Sequence, residues 1–333
     1  MKVAVGISGG VDSTVAALLL KAEGHEVVGV TMTLGRVDEA KSLAEAKAAA
    51  ERLGIPLKVF DFTHEWNSCV LDYIRTTYLD GKTPNPCVRC NEAVKFGLLP
   101  RAAFEMGCER FATGHYARVG IGDQGLGIRL MRGVDRGKDQ SYFLYRVRPE
   151  ILERTIFPLG EMTKDEVREK ARAFGLAIAD KDDSQDFCGG DPMRIVNEPD
   201  RKGEVVTVDG KVIGRHRGYW NYTVGMRKGL GIGGGTPYYV VALDAEKNRV
   251  IVGFRESAVR REFKMVDRVG FLTIGRESAS PLVVKVRSAG EPKGPVMVGG
   301  DMVFCSEGIA GVAPGQSAVF YDGDVVVGGG IIA

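Results

Sequence analysis

The segment Lys2-Val3-Ala4-Val5-Gly6-Ile7-Ser8-Gly9-Gly10-Val11-Asp12-Ser13 decides the fold of this chain. Its first six residues form the apolar run of a buried strand, and a helical pattern begins at Thr14 and ends at Gly24. The two glycines between strand and helix permit a tight turn whose backbone N–H groups face an anion. The positive end of the helix and the hydroxyls of Ser8 and Ser13 would strengthen the binding of a phosphate.

This loop differs from the two commonest phosphate-binding motifs. A Walker A loop needs a lysine directly after its last glycine, whereas Val11 follows Gly10 here. The glycine spacing of the dinucleotide fingerprint is missing as well. An ordinary glycine-rich turn is the alternative, but position, spacing and hydroxyls together favour a phosphate loop of another kind.

Outward from this loop, the N-terminal half alternates strand and helix patterns. Further strands are predicted over residues 26–32, 57–60 and 110–113, and further helices over 38–53, 65–79 and 91–106. A helix that starts near residue 164 carries a capping box formed by Thr163 and Glu166. This alternation predicts an α/β fold with a doubly wound parallel sheet, whose ligand binds beyond the carboxyl ends of the strands.

The pattern changes after about Pro192 to short strands joined by turns. Hairpins are predicted over residues 205–213, with a type I′ turn at Asp209-Gly210, over 238–254 and over 318–327. Regular short strands predict small all-β barrels. We therefore expect three domains: a phosphate-loop catalytic domain over 1–193, a central β-rich domain over 194–257 and a C-terminal β-barrel over 258–333.

Composition restricts the class of protein. Of the 333 residues, 44% are hydrophobic and 26% are charged, and the mean hydropathy is -0.06, which is typical of a globular chain. No apolar run reaches the roughly 18 residues of a membrane span, and the chain begins without the pattern of a signal peptide. We expect a cytoplasmic protein, in which clustered cysteines are more often catalytic or metal-binding than disulfide-bonded.

Two of the six cysteines, Cys87 and Cys90, form a C-x-x-C motif behind two prolines. Asn91 is expected to cap a helix there, and a helix N-terminus lowers the pKa of a thiol. The motif alone fits half of a zinc site, a redox pair, a pair of iron–sulfur ligands or a catalytic thiol. A zinc site that used Cys188 and His115 would need an unusual convergence. The other three cysteines lie among apolar or small residues and are expected to be buried: Cys69, Cys108 and Cys305.

The basic residues are concentrated in one segment. The net charge of the chain is only +2, but residues 201–228 contain seven Lys or Arg against two Asp or Glu. Aromatic rings and a histidine are interleaved with them: His216, Tyr219, Trp220 and Tyr222. Basic residues neutralise phosphates and aromatic rings stack on unpaired bases, so the segment is either an RNA-binding patch or a solvated basic surface.

The loop over residues 8–13 resembles the pyrophosphate loop of the ATP pyrophosphatase superfamily. Further motifs follow in order: TPNPCVRCNEAVKFG (83–97), ATGHYAR (112–118), KDQSYFL (138–144), SQDFC (184–188), YTVGMRKGLGI (222–232) and PGQSAVFYDGDVVVGGG (314–330). Together they are similar to the tRNA-specific 2-thiouridylases over essentially the whole chain. The resemblance implies an adenine nucleotide hydrolase-like domain and an enzyme that uses ATP to place sulfur on C2 of the wobble uridine, position 34 of tRNA, through an adenylated uridine.

The resemblance also implies roles for single residues. Those implied to bind ATP are Gly6, Ile7, Ser8, Gly9, Gly10, Val11, Asp12, Ser13, Met32 and Gly114. Those implied to contact tRNA are Asn85, Pro86, Cys87, His115, Lys138, Asp139, Gln140, Arg287 and Gln316. Cys188 resembles the residue that carries sulfur as a persulfide, Cys90 resembles the nucleophile that releases it, and Asp12 is a candidate Mg²⁺ ligand.

Two positions depart from the family pattern. Cys87 stands where many members have Asp, so Cys87, Cys90 and Cys188 provide three thiols that could hold a [4Fe–4S] cluster with one iron open to sulfide. The cluster and a persulfide relay are alternative mechanisms for the delivery of sulfur. Met226 stands where the family usually has Gln, which puts one polar contact in question.

The implied cofactors are ATP and Mg²⁺, with a [4Fe–4S] cluster in one of the two mechanisms. The implied partners are tRNA and a sulfur donor such as a cysteine desulfurase or a relay protein. Two other functions stay open. A small-molecule ATP pyrophosphatase of the amide-ligase type would not require Cys90 and Cys188, and a zinc-stabilised RNA-binding module would not require the phosphate loop.

Overall fold

The computed structural model describes residues 1–37, 39–121, 127–176, 192–232, 235–270 and 281–333. The predicted sulfur carrier Cys188 and its motif SQDFC lie outside the described residues. The chain forms two compact units. The first contains Met1–Val70, Cys87–Gly190 and Asp324–Val326, and the second contains Leu71–Pro86, Asp191–Gly323 and Val327–Ala333.

The first unit is built on a parallel sheet. Its strands are β1 (Lys2–Gly6), β2 (Glu26–Thr33), β3 (Leu57–Asp61), β4 (Arg110–Ala112), β5 (Ala117–Ile121), β6 (Ile128–Arg132) and β7 (Thr155–Ile156). Five of them form a sheet in the order β3-β2-β1-β4-β7, and every neighbouring pair is parallel. The predicted parallel sheet is confirmed, with β1 at its centre. Strands β5 and β6 form an antiparallel pair, and Met131 of β6 pairs with Val325.

The described residues of both units also form α-helices. They are α1 (Val11–Ala22), α2 (Glu39–Leu53), α3 (Thr63–Trp66), α4 (Asp72–Leu79), α5 (Pro86–Cys90), α6 (Leu99–Glu105), α7 (Pro149–Leu152), α8 (Lys164–Ala173) and α9 (Met193–Val196). The predicted capping box starts α8, because Thr163 accepts from the N–H of Glu166 and the Glu166 side chain accepts from the N–H of Thr163. No described helix has both the length and the apolar character needed to span a lipid bilayer.

Helix α1 is buried on two sides, which explains its long apolar run. Ala17 and Leu20 pack with Val3 and Val5 of the sheet, whereas Val11, Val15 and Ala16 pack with Val167 and Ala171 of α8. The cluster that contains Val11 holds the first turn of α1 against α8, and the other fixes the middle of the helix against the sheet.

Two helical stretches contain wider π-helical turns that the sequence did not predict. Asn67–Leu71 links α3 to α4, and Asn91–Lys95 continues α5. The helix predicted to start at Asn91 begins at Pro86 instead, because a proline is well suited to the first helical position. Asn91 therefore lies inside the helical stretch, and the prediction that it caps a helix is wrong.

The second unit contains two β-sheets. Strands β8 (Gly203–Thr207), β9 (Val212–His216), β10 (Tyr239–Asp244) and β11 (Arg249–Gly253) form the first, in the order β10-β11-β8-β9. The hairpins β8–β9 and β10–β11 are confirmed as antiparallel pairs, and β8 and β11 run parallel. The predicted type I′ turn is wrong, because Gly210 has a positive φ of 88° and Asp209 does not.

The other sheet forms the C-terminal part of the chain. Its strands are β12 (Val259–Gly270), β13 (Val283–Lys285), β14 (Val296–Gly299), β15 (Met302–Ala310), β16 (Ser317–Asp322) and β17 (Val325–Ile332). They lie in the order β13-β16-β17-β12-β15-β14. A core that includes Phe263, Met265, Val303, Phe320 and Ile332 fills one side of it. The all-β character predicted after about residue 194 is confirmed.

Met226 lies in the apolar cluster of the first of these two sheets. Its side chain packs against a core that contains Tyr219, Trp220 and Leu230, and its backbone N–H donates to the carbonyl of Thr223. A thioether suits this partly buried apolar setting, because it makes contacts without needing hydrogen-bond partners.

Candidate nucleotide and thiol site

The predicted phosphate loop lies between β1 and α1, at the carboxyl end of the central strand. Gly9 has φ of +80°, a conformation that side chains rarely adopt. A Cβ atom at Gly9 would lie 2.5 Å from Cβ of Glu45 and 2.9 Å from the backbone nitrogen of Ala46, both in α2. Both conformation and space therefore require glycine at this position.

Hydroxyl groups fix the shape of the loop. The Ser13 hydroxyl accepts from the backbone N–H of Ser8 at 3.2 Å and lies 3.1 Å from the Ser8 hydroxyl. The carbonyl of Gly10 accepts from the hydroxyl of Thr14 at 2.8 Å. These hydrogen bonds hold the loop backbone in one shape, which would reduce the ordering that phosphate binding requires.

Gly114, which follows β4, lies directly against this loop. A Cβ atom there would be 2.6 Å from the carbonyl carbon of Asp12 and 2.7 Å from the backbone nitrogen of Ser13. The structure therefore brings two predicted ATP-binding segments together, although they are about a hundred residues apart in sequence. Met32, the other predicted ATP contact, lies near the end of β2, next to β1 in the sheet.

The carboxylate of Asp12 is held by two side chains that the sequence analysis did not identify. The ammonium of Lys164 lies 2.8 and 2.9 Å from its two oxygens, and the hydroxyl of Tyr116 donates to it at 2.9 Å. Lys164 and Tyr116 are both buried. The capping box at Thr163 predicted the start of α8 correctly. No sequence motif near Lys164, the first residue of α8, indicated that its side chain reaches the phosphate loop.

The two cysteines of the C-x-x-C motif lie one turn apart on α5. Cys90 is only 6% exposed, and burial raises the pKa of its thiol to about 11, although the Lys95 ammonium acts in the opposite direction. Burial also raises the pKa of Cys87, again against Lys95. The expected lowering of these pKa values is wrong, because Cys90 ends α5 instead of starting a helix and desolvation outweighs the nearby cation.

An ion-pair network fixes the helix that carries the thiols. Glu92 accepts from Arg89 at 3.0 Å and from Arg146 at 2.9 Å. Arg89 also donates to the carbonyl of Cys69 at 3.1 Å. Cys108 and Cys305 are buried as predicted, whereas Cys69 is partly exposed, which corrects the expectation for that residue.

His115 packs between aromatic rings at the end of β4. Its ring lies 5.5 Å from that of Phe96 and 6.3 Å from that of Phe157, and its Nδ1 lies 2.8 Å from the hydroxyl of Thr113. Burial lowers the pKa of His115 to about 3, and Lys95 lowers it further. The imidazole is therefore neutral at physiological pH.

We expect acid to destabilise the protein through His115. The unfolded histidine titrates near 6.5 and the folded one near 3, so its contribution to stability is complete above pH 6.5 and is lost as the pH falls toward 3. Between pH 6.5 and 4.5 the wild type should lose on the order of 2 kcal/mol more than His115→Asn. Urea unfolding at several pH values measures this difference, and parallel curves for the two proteins would contradict it.

The segment Lys138-Asp139-Gln140 makes internal contacts. The Asp139 carboxylate has no exposed surface and accepts from Arg132 at 3.2 Å and from the N–H of Ser141 at 3.1 Å. Gln140 and Tyr116 bind each other twice, each contact being 2.9 Å. Gln140 therefore supports Tyr116, which binds Asp12, and a direct tRNA contact by this segment stays a prediction.

The predicted tRNA contacts of the second unit have different environments. Arg287 is exposed after β13, near Gly311. Asn85 is buried, and its backbone N–H donates to the hydroxyl oxygen of Tyr73 at 3.1 Å. The amide of Gln316 donates to the carbonyl of Pro84 at 2.7 Å and lies 3.4 Å from that of Thr83. Gln316 thus binds the segment that leads into Pro86 and α5.

We expect Gln316→Leu to slow catalysis without weakening the binding of tRNA. The change removes the donor to two carbonyls just before the C-x-x-C motif, so this segment would lose its fixed position. We expect kcat to fall about 10-fold, since small displacements at a reacting centre cost that much or more. Steady-state kinetics with varied tRNA measures both constants. A rise in KM for tRNA with unchanged kcat would instead support direct tRNA contact by Gln316.

Within the part of the chain that the structure describes, no three His, Cys, Asp or Glu side chains cluster as metal ligands. Cys87 and Cys90 are brought together, whereas the third predicted cluster ligand, Cys188, lies outside the described residues. The alternative zinc site, which required Cys188 and His115, is likewise left as a prediction.

Three family models match successive parts of the chain. Their descriptions are "tRNA methyl transferase HUP domain" for residues 1–189, "tRNA methyl transferase PRC-barrel domain" for 196–254 and "Aminomethyltransferase beta-barrel domain" for 267–332. The first alone covers more than half of the chain and contains the phosphate loop, the C-x-x-C motif and Lys164.

Curated relatives match along the whole length. The tRNA-specific 2-thiouridylase MnmA of Trichormus variabilis is 42% identical over 346 residues, which cover 99% of this chain and 98% of the relative. That of Syntrophotalea carbinolica is 45% identical over 351 residues, covering 99% and 97%. With identity at this level throughout both units, and with the phosphate loop and paired thiols in place, the chain belongs to the family of the tRNA-specific 2-thiouridylases.

Proposed function

We propose that this protein is an ATP-dependent sulfurtransferase that converts the wobble uridine of tRNA, position 34, to 2-thiouridine. The observation that carries the proposal is that the phosphate loop and the paired thiols of α5 belong to the same unit. Neither feature alone would distinguish a thiolase from other ATP pyrophosphatases. Membership of the family supports a reaction in which the loop binds ATP and the thiols deliver sulfur.

The first step activates an oxygen that otherwise leaves very poorly. The O2 atom of uridine attacks the α-phosphorus of ATP, the bond to the bridging oxygen breaks, and pyrophosphate leaves with the electron pair while the proton of N3 passes to solvent. We propose that residues 6–13, Met32 and Gly114 hold the nucleotide. The N–H groups at the start of α1 and the loop hydroxyls would bind the phosphates.

Mg²⁺ has a candidate ligand in Asp12, because carboxylate oxygens suit this ion. Bound Mg²⁺ would neutralise charge on the phosphate oxygens. The carboxylate of Asp12 is paired with Lys164 in this structure, so it must separate from Lys164 before it can bind Mg²⁺. We propose that Lys164 releases Asp12 when ATP binds and turns its ammonium toward the phosphates.

The second step replaces AMP by sulfur. In the persulfide relay, the terminal sulfur of a Cys188 persulfide attacks C2, and AMP leaves. The Cys90 thiolate then attacks Sγ of Cys188, and the S–S bond to the sulfur on C2 breaks. That sulfur leaves with the electron pair and becomes the thiocarbonyl as N3 takes a proton from solvent, and a disulfide joins the two cysteines. A dithiol reductant must then restore both thiols.

The iron–sulfur alternative uses the same residues differently. Cys87 and Cys90 are spaced one helical turn apart, and thiolates are the ligands that iron–sulfur clusters require. With Cys188 they would hold a [4Fe–4S] cluster, which when bound supplies an open iron for a sulfide. The high pKa of Cys90 in the described state does not oppose this, because a coordinating thiol is deprotonated by the metal.

We propose tRNA and a sulfur donor, such as a cysteine desulfurase or relay protein, as the partners. We also propose three domains: a catalytic domain over 1–193 and two domains, over 194–257 and 258–333, that contact RNA. The separate family models for 1–189, 196–254 and 267–332 support this division.

Release of pyrophosphate tests the proposed function. Purified protein is incubated with Mg²⁺-ATP, with and without an unmodified tRNA transcript that has uridine at position 34. Pyrophosphate release that depends on tRNA is the expected result. Release without tRNA would favour a small-molecule ligase, and failure to bind ATP would favour an RNA-binding module without catalysis.

Cys87→Ala separates the two sulfur mechanisms. The protein and its variant are purified and reconstituted without oxygen, and iron content and thiolation are measured together. Loss of both iron and activity in Cys87→Ala supports the cluster. Full activity of the variant, without bound iron in either protein, supports the persulfide relay.

A further inference from the structure

A basic cleft lies at one end of the mixed sheet of the second unit. It has a volume of about 520 Å³. Six charged side chains line it, and five of them are cations: Arg201, Lys202, Glu204, Arg215, Lys247 and Arg249. Gly203 and Asn248 complete the lining, so the cleft has no apolar side chain.

The order and direction of the strands create this concentration of charge. Strands β8 and β11 are parallel, so both begin at the same end of the sheet. Strand β9 is antiparallel to β8 and ends there. The register places Glu204 opposite Arg249 on one side and Arg215 on the other. Three charged positions therefore form one row across three strands.

A buried amide anchors the cations that precede β8. Asn248 is 5% exposed and has a positive φ of 50°. Its side-chain nitrogen donates to the carbonyl of Arg201 at 3.2 Å and to that of Lys202 at 3.0 Å. Two consecutive basic residues are thus fixed to the turn that carries Lys247.

Most of the positive charge in the cleft is not neutralised. Glu204 pairs with Arg249 at 2.9 Å, and Lys247 lies 3.9 Å from the carboxylate of Asp244. Among the described residues, Arg201, Lys202 and Arg215 make no ion pair, and all three are exposed. Cations held close together without counterions repel one another, and a polyanion would relieve that repulsion.

We propose that this cleft binds the phosphodiester backbone of the RNA substrate, which rests on the proposed function. Phosphate contacts position a nucleic acid without reading its sequence, and Arg and Lys make most of them. An acidic protein partner would also be attracted, but protein interfaces depend on aromatic and apolar anchors at their centre. The cleft has none, which favours RNA.

The test compares two triple variants that remove the same amount of charge. Arg201→Gln/Lys202→Gln/Arg215→Gln changes the cleft. The control, Lys58→Gln/Arg101→Gln/Arg255→Gln, changes three exposed cations elsewhere. The dissociation constant for the unmodified tRNA transcript is measured by filter binding over a range of KCl concentrations, and ATP binding and thermal unfolding are measured to establish that each protein is folded.

We expect the cleft variant to bind tRNA about 10- to 100-fold more weakly at 0.1 M KCl, with a salt slope reduced by about 2 to 3. The control should stay within about 3-fold of the wild type. Equal losses in both variants would overturn the proposal, since general charge would then be responsible. Normal tRNA binding by the cleft variant would overturn it as well. If that variant were then defective in thiolation with a cysteine desulfurase but not with sulfide, the cleft would bind a protein partner instead. If the wild type itself fails to bind tRNA, the proposed function fails and not the cleft alone.

Discussion

Cys90→Ser should abolish the formation of 2-thiouridine while ATP binding stays within about 2-fold of the wild type. A serine hydroxyl can neither attack a persulfide nor bind iron as a thiolate does, so the loss is expected under both sulfur mechanisms. The phosphate loop is formed by other residues and should be unaffected. Mass spectrometry of digested tRNA measures the product, and calorimetry measures the binding of ATP.

Two further variants complete this experiment. Cys188→Ser should behave as Cys90→Ser does, because both mechanisms use both thiols. Cys108→Ser is the matched control, since Cys108 is also buried in the first unit, at 2% exposure, but lies outside the motif. Normal thiolation by Cys90→Ser or Cys188→Ser would reject the role proposed for that residue, whatever the mechanism.

Gly9→Ala should weaken the binding of ATP by 100-fold or more, on the order of 3 kcal/mol. An alanine must adopt a positive φ there, which costs about 1 to 2 kcal/mol, and its Cβ would lie 2.5 Å from Cβ of Glu45. The loop can relieve this overlap only by moving away from α2, which disrupts the N–H groups that would face the phosphates. Calorimetric titration with ATP and the melting temperature measure both consequences.

Gly10→Ala is the control for the structural part of this effect. Gly10 has φ of -82°, and the nearest atom to an added Cβ is the Ser8 hydroxyl oxygen, at 3.5 Å. The melting temperature of Gly10→Ala should therefore equal that of the wild type, whereas Gly9→Ala should melt several degrees lower. If both variants melted alike, the contact between the loop and α2 would not be the cause.

Local patterns predicted the first four strands and the loop, because each of them is a continuous stretch of sequence, but they missed β5, β6 and β7. The run Val3 to Ile7, the glycines and the apolar face of α1 specify a strand, a turn and a helix without reference to distant residues. The hairpins of the second unit were predictable for the same reason. The turn at Asp209 was predicted wrongly because Asp-Gly fits several turn types, and the strands on either side decide among them.

The site was less predictable because its decisive contacts are distant in sequence. Lys164 reaches Asp12 across 152 positions, and Gln316 reaches Pro84 across 232. The acidity of Cys90 depends on burial, which a C-x-x-C motif does not reveal. The resemblance to the family identified the right segments, whereas the ion pairs and hydrogen bonds that orient them could be found only in three dimensions.

The burial of Cys90 has a consequence for the survival of the enzyme between reactions. A thiol with a pKa of about 11 is almost entirely protonated inside a cell, and protonated thiols react slowly with peroxide. The thiol that we propose to attack sulfur is therefore both buried and weakly reactive toward oxidants in this structure. Slow reaction with peroxide would spare this thiol from irreversible oxidation between turnovers.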